Sequence, residues 1–208
     1  MGCCYSRGNG SDVELLQETT NAAVTCKIGQ IGSSVIVSLD ETTNFYTIQH
    51  KGKQPSGLAL GSCPLDCDTA MWEVKLGSNP TSVTIGVKRY KGKGVDFDSA
   101  LDDENEQERK VQTSWFLNWK YLSAAPKEGD VIGIYWDQTD LPMISFSLNG
   151  EMLPTSTSIN RIRPSNDVHP AVSVKTGASC EVIYDGDNFL FPPKSKKFGP
   201  IVCATSLI

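Results

Sequence analysis

Residues Gly129–Leu153, GDVIGIYWDQTDLPMISFSLNGEML, carry the clearest structural signal in the chain. In MISFSLNGEM, apolar Ile144, Phe146 and Leu148 alternate with Ser145 and Ser147. That period of two marks a strand with one face on a core and the other toward solvent. Asn149-Gly150 then supplies the two positive-φ residues that a tight hairpin needs. Upstream, DVIGIYW reads as a second strand, in which Gly133 lets a bulky neighbour pack close against the backbone.

The same pattern extends in both directions. SSVIVSL, NFYTIQH, MWEVKL, SVTIGVKR, TSWFLNW, VHPAVSVK and SCEVIY are short, rich in β-branched and aromatic residues, and bounded by Gly, Pro, Asn or Asp. Helical character is confined to VELLQE (Val13–Glu18) and a candidate turn within Asp96–Lys110. Many strands without helices between them imply an antiparallel sandwich or barrel, since parallel strands need crossovers. Trp72, Trp115, Phe116, Trp136 and Phe146 supply the apolar area of a two-sheet core, at about 150–250 Å² each. Pro170, having no N–H to donate, is expected at a strand start or a sheet edge.

With 208 residues the chain suffices for one large domain with a core of its own. No apolar run reaches the length of a spanning helix, and the N-terminus lacks the apolar segment of a secretory signal. The seven cysteines lack the paired spacing of a disulfide framework, so reduced thiols on the cytosolic side are expected. Cys63 and Cys67 come nearest to a metal pair but have no partner pair at zinc-site spacing, and neither a metal nor another cofactor is expected. A net charge of −5 and the want of a basic face argue against nucleic acid. The acidic run Asp96–Lys110 lacks the spacing and central glycine of an EF-hand and reads as a solvated loop.

The chain begins MGCCYSRGNG. Loss of Met1 would expose Gly2, and Ser6 stands where a myristoylation site requires its hydroxyl. One myristoyl chain anchors a protein only marginally, so a second signal is needed. Arg7 is the sole basic residue before Lys27, which leaves thioesters on Cys3 and Cys4 as that signal. Residues 1–20 are accordingly expected to be an acylated, flexible tether, 21–193 the domain and 194–208 a C-terminal tail. The location implied is the cytoplasmic face of a membrane.

GDVIG (129–133), Asp137 and ISFSLNG (144–150) resemble the central signature of a SPRY domain. WEVKL, SVTIGV, SWFLNW, HPAVSVKTGASCEVIY and FLFPP follow the same family in the same order, from Ala70 to Pro193, with a looser likeness over Val24–Gly61. The resemblance implies an all-β fold, a bent antiparallel β-sandwich of two sheets, and a monomeric module that binds a protein or peptide through loops at one end. The matching loops follow Val87 and Trp119 and surround Asp137–Leu141. Arg89, Tyr90, Trp119, Tyr121 and Asp140 are the contact candidates there, because aromatic residues and arginine dominate binding energy.

Catalysis finds little support. The two histidines, His50 and His169, have no nucleophile motif beside them, and no G-x-S-x-G, H-E-x-x-H or phosphate-binding loop occurs. Asp130, Asp137 and Glu151 could be imagined as a carboxylate pair, yet each stands beside a turn as surface residues commonly do. The closer alternative is a lectin-like sandwich taking a sugar or small molecule on a concave aromatic face.

Overall fold

A computed structural model describes residues 24–101, 112–160, 162 and 167–203. The acylation candidates Gly2, Cys3 and Cys4, the VELLQE segment and most of the acidic run lie outside those residues. Fifteen strands occupy the described chain, with single 3-10 turns as the only helical elements among the described residues.

The larger sheet is built on β6 (Thr69–Leu76) and β9 (Val131–Asp137), paired antiparallel from Thr69↔Asp137 to Lys75↔Val131. Beyond β9 come β10 (Met143–Leu148) and then two short strands that share its far side, β11 (Glu151–Met152) and β12 (Ile159–Asn160). Beyond β6 lie β14 (Ser179–Ile183), β4 (Phe45–His50) and the edge strand β3 (Val35–Asp40). The smaller sheet runs β2 (Ile28–Ile31), β5 (Ser56–Gly61), β13 (Val168–Lys175), β7 (Val83–Arg89) and β8 (Ser114–Phe116). Every strand pairing is antiparallel, as the absence of interleaved helices requires. At Asn149-Gly150 the φ angles are 49° and 80°, so both central residues of the β10–β11 hairpin take the left-handed conformation expected of them.

Trp72, Trp136, Phe146, Ile85, Val172 and Ile132 meet between the two sheets, with Trp115 closing one edge. Phe116 is not part of that core. Its neighbour Trp115 takes the inward position, so Phe116 points to the outer face of the small sheet and packs with Leu58, Leu60, Leu101 and Ala171. Tyr90, Val95 and Phe97 cover the same cluster. Leu58 N–H donates to the Phe97 carbonyl at 2.8 Å, and Leu101 N–H to Ser173 Oγ at 3.0 Å. The first residues of the acidic run are therefore a lid on apolar surface rather than a solvated loop. Asp98, whose carboxylate accepts from the amide and hydroxyl of Ser33, fastens that lid to the β2–β3 turn.

The outer face of the large sheet is covered as well, by the chain after β14. Glu73 is fully buried on that face and accepts the backbone N–H groups of Leu190 (2.6 Å) and Phe191 (2.9 Å). Burial pushes its carboxyl above the usual range, and the two N–H donors pull part of the way back. Further on, Met71 N–H donates to Gly199 O and Phe198 stacks edge-on against Tyr135 at 5.1 Å. The segment from Lys194 thus lies against the sheet as far as β15 (Val202–Cys203), which pairs with β1 (Val24–Thr25). This covering explains why Ser147, read from its alternation as solvent-facing, is buried. It lies across from Gly133, where a Cβ would run into Ser147 Oγ and stand 3.3 Å from both Met71 Cε and the Tyr135 ring, so the glycine does admit bulky neighbours.

Two local readings are corrected. Pro170 sits inside a central strand, opposite Gly61, where the β13–β5 ladder ends. It has no N–H for the Gly61 carbonyl, and His169 Nδ1 serves that carbonyl instead at 2.9 Å. Cys63 and Cys203, 140 residues apart, are joined as a disulfide with Cα atoms 5.4 Å apart, whereas Cys26, Cys67 and Cys180 are free. Pairing over such a separation leaves no trace in local cysteine spacing.

Candidate functional site: a groove beside Tyr121

The turn between β6 and β7, at residues 77–82, places the end of β6 and the start of β7 at one end of the sandwich. The end of β7, the start of β13 and the β9–β10 loop consequently lie at the other. This separates the five contact candidates. Arg89, Tyr90 and Asp140 belong to the second end. Trp119 and Tyr121 belong to the first, because Trp119 Nε1 donates to the carbonyl of Val83 at 2.8 Å.

At the Arg89 end the candidates are used for structure. Arg89 Nε lies 3.2 Å from Asp167 Oδ1, and its guanidinium stands 5.6 Å from the centre of the Trp115 ring. Lys91 reaches the other oxygen of Asp167 at 3.4 Å. Tyr90 stacks edge-on against both Phe97 and His169. Burial holds the His169 pKa below its ordinary value, with the Gly61 hydrogen bond and the charge of Asp167 opposing in part. Because the Gly61 carbonyl can only accept, Nδ1 is the nitrogen that carries a proton in this contact. Asp140 stands exposed in the β9–β10 loop.

At the other end a 3-10 turn, Trp119–Tyr121, leaves β8 and crosses toward β9. Asn118 caps it, its side chain accepting from Lys120 N–H at 3.1 Å, and the half-buried Trp119 ring packs on the core from above. Tyr121 is left 54 % exposed with Lys120 Nζ 5.1 Å from its ring centre. Between this loop and the β10–β11 hairpin runs a groove of about 390 Å³, lined by Tyr121, Leu122, Ala124, Leu148, Leu153 and Pro154. Its base is rigid. Asp130 accepts from Lys127 N–H at 2.8 Å and from Asn149 Nδ2 at 3.0 Å, and Asn149 Oδ1 accepts from Val131 N–H at 2.8 Å. The hairpin tip is thereby tied to the loop that forms the opposite wall.

Of the five contact candidates Tyr121 alone lines this groove, and Leu148, Leu153 and Pro154 are not among them. Leu148 was assigned to the core, which it does touch; LP at 153–154, directly after a hairpin, was the available signal for the rest. Among the described residues no group of three His, Cys, Asp or Glu side chains could hold a metal. The backbone carbonyl of Cys67 accepts from Trp136 Nε1 at 3.1 Å.

The SPRY-domain family model matches residues 43–187, well over half of the chain. The chain belongs to the SPRY family. SPRY domains are in general protein-interaction modules. Solved structures with this fold include the SPRY domain of human HERC1, at 13 % identity and a TM-score of 0.51 over 76 % of this chain and 97 % of that one. A second human SPRY domain gives 16 % identity and a TM-score of 0.51, over 74 % and 97 %. The NEUZ (NHR) domain of Neuralized from Drosophila melanogaster gives 11 % and 0.55, over 79 % and 95 %. At such identities the likeness concerns the SPRY sandwich alone. Comparison with curated proteins gives no match.

Proposed function

We propose that this SPRY protein is a non-catalytic adaptor held at the cytoplasmic face of a membrane by acyl chains on Gly2 and on Cys3 or Cys4, and that it recruits a protein through the groove beside Tyr121. The observation that carries the binding half is that groove: an apolar trough with an exposed aromatic wall, made from two loops and braced by Asp130 and Asn149. Its apolar lining suits a peptide better than a sugar, which calls for more polar groups converging on one spot. The membrane half rests on the M-G-x-x-x-S pattern and the adjacent cysteines.

Proximity labelling from an intact N-terminus in cells tests both halves separately. Gly2→Ala is expected to leave the membrane fraction yet still recover the partner from lysate. Tyr121→Ala is expected to stay at the membrane and to bind the partner at least about tenfold more weakly, the loss typical of an aromatic anchor. Equal membrane partitioning of Gly2→Ala and the parent defeats the anchor, and unchanged partner recovery by Tyr121→Ala defeats the groove.

A further inference from the structure

A second cleft, about 270 Å³, opens on the outer face of the large sheet, between β9–β11 and the segment 192–198. Tyr135, Ser145, Met152, Pro192, Pro193 and Phe198 line it. Pro192-Pro193 stiffens the segment as it lifts away after Phe191, and Phe198 brings it back down onto Tyr135. Met152, on one wall, is left 55 % exposed, so the cleft presents a large apolar side chain to solvent. Small-molecule sites span roughly 300–1,000 Å³, and this cleft falls below that, at the scale of one or two side chains. Three lysines stand at its rim: Lys196 is exposed, Lys194 lies 3.5 Å from the exposed carboxylate of Glu151, and Lys197 is paired with Asp137 at 2.6 Å.

We propose that this cleft is a docking site for the chain's own segment Asp12–Glu18, with Leu15 and Leu16 entering it and Glu14 and Glu18 facing Lys194 and Lys196. Three observations select that occupant. First, the chain leading into the domain starts beside the cleft: Val24 is opposite Cys203, and Cys203 is five residues from Phe198, a span of at most about 18 Å. Eight residues separate Leu16 from Val24 and extend up to about 28 Å, so the segment reaches without strain. Second, Val13, Leu15 and Leu16 are the only Val, Leu or Ile residues before Val24, which makes DVELLQE the one stretch there with large aliphatic side chains. Third, Asp12, Glu14 and Glu18 offer carboxylates to the exposed Lys196 and to Lys194, whose 3.5 Å pairing with Glu151 is fully solvated and easily exchanged. The Tyr121 groove, on the other side of the β10–β11 hairpin, meets the third less well, because Lys127 is its only lining lysine.

Docking in cis needs little intrinsic affinity, since a short linker holds its segment at an effective concentration of about millimolar. The inference goes beyond the adaptor reading and does not rest on it. Its consequence is geometric: eleven residues precede the docked segment, against twenty-three before Val24 when it is unseated, so docking roughly halves the fully extended reach.

Zero-length carbodiimide cross-linking of the full chain, mapped by mass spectrometry, tests the proposal. Cross-links from Glu14 or Glu18 to Lys194 or Lys196 are expected, and Leu15→Asp/Leu16→Asp should reduce them at least about tenfold. Met152→Asp, an exposed substitution on the opposite wall, should do the same without lowering the melting temperature. Mixing chains of natural and heavy nitrogen separates links within a chain from links between chains. The proposal is overturned by absence of these cross-links, by their persistence in both variants, or by their forming between chains, which would make a second copy the occupant.

Discussion

Both ends of the sandwich carry an aromatic–cation pair, Arg89 with Trp115 at one and Lys120 with Tyr121 at the other. On composition alone they are equivalent candidates for contact. Their surroundings make them different. Arg89 is held by Asp167, whose side chain is 8 % exposed, and Trp115 closes the core beneath it, whereas Tyr121 projects over an unfilled groove. The difference teaches that residue type nominates a binding residue, but the number of polar and apolar neighbours it already satisfies determines whether it has anything left for a partner.

Substitution at the two aromatic rings should separate these roles most widely. Trp115→Ala removes a large side chain from the core edge and the platform of Arg89, and is expected to cost about 3–5 kcal/mol in chemical denaturation. Tyr121→Ala, at an exposed position, is expected to stay within about 0.5 kcal/mol of the parent in the same measurement. Comparable losses at the two positions would mean that the two ends are equally structural.

A smaller effect follows from the charge pairing. Asp167→Asn withdraws the partner from Arg89 and Lys91 together. Breaking a buried pair costs about 3–5 kcal/mol, but Arg89 is 23 % exposed and Lys91 far more so. Water therefore takes over much of their solvation, and about 2 kcal/mol is expected by urea titration. The groove at the other end should bind as before. A change in partner affinity with this variant would show that the ends are coupled.

How much of this could be read from sequence depends on how far apart the deciding residues are. Strands such as β9 and β10 announced themselves because alternation and the Asn149-Gly150 turn are local features. β5, SGLALG, did not, since both its faces are buried: Ala59 on the inter-sheet core, Leu58 and Leu60 beneath the Tyr90–Leu101 lid. Two-sided burial removes the alternation by which a strand is recognised. Ser147 was misread for a related reason, because the covering chain comes from residues more than forty positions away. The split of the contact candidates was equally invisible. Arg89 and Trp119 are thirty residues apart on successive loops, and only the antiparallel course of β7 and β8 sends them to opposite ends. The Glu73 clasp on Leu190 and Phe191 is the extreme case: an isolated glutamate in WEVKL looks like a solvent-facing strand residue until its partners 117 and 118 positions away are known.

The smallest effect concerns pH and belongs to the Arg89 end alone. Because burial depresses the His169 pKa in the folded protein, the unfolded chain binds a proton at this site more readily than the native one. Stability contributed here is therefore complete above the ordinary histidine value near 6.5 and declines as pH falls from there toward the depressed native value. The groups facing the ring set the site apart: Tyr90 packs edge-on, Gly61 O accepts from Nδ1, and Asp167 supplies the one nearby charge that favours protonation. Native-state hydrogen exchange should show β13 near His169 and the adjoining end of β5 opening more often at pH 5.5 than at pH 7.5, after correction for intrinsic exchange. The Lys127–Asp130 turn beneath the groove, with no histidine among its hydrogen-bond partners, should keep its protection. His169→Gln retains a side-chain donor for Gly61 and removes the titration, so it should flatten the pH dependence without abolishing the fold. If both ends loosen together on acidification, or if His169→Gln leaves the dependence intact, the proton acts elsewhere and the Arg89 end loses its claim to separate behaviour.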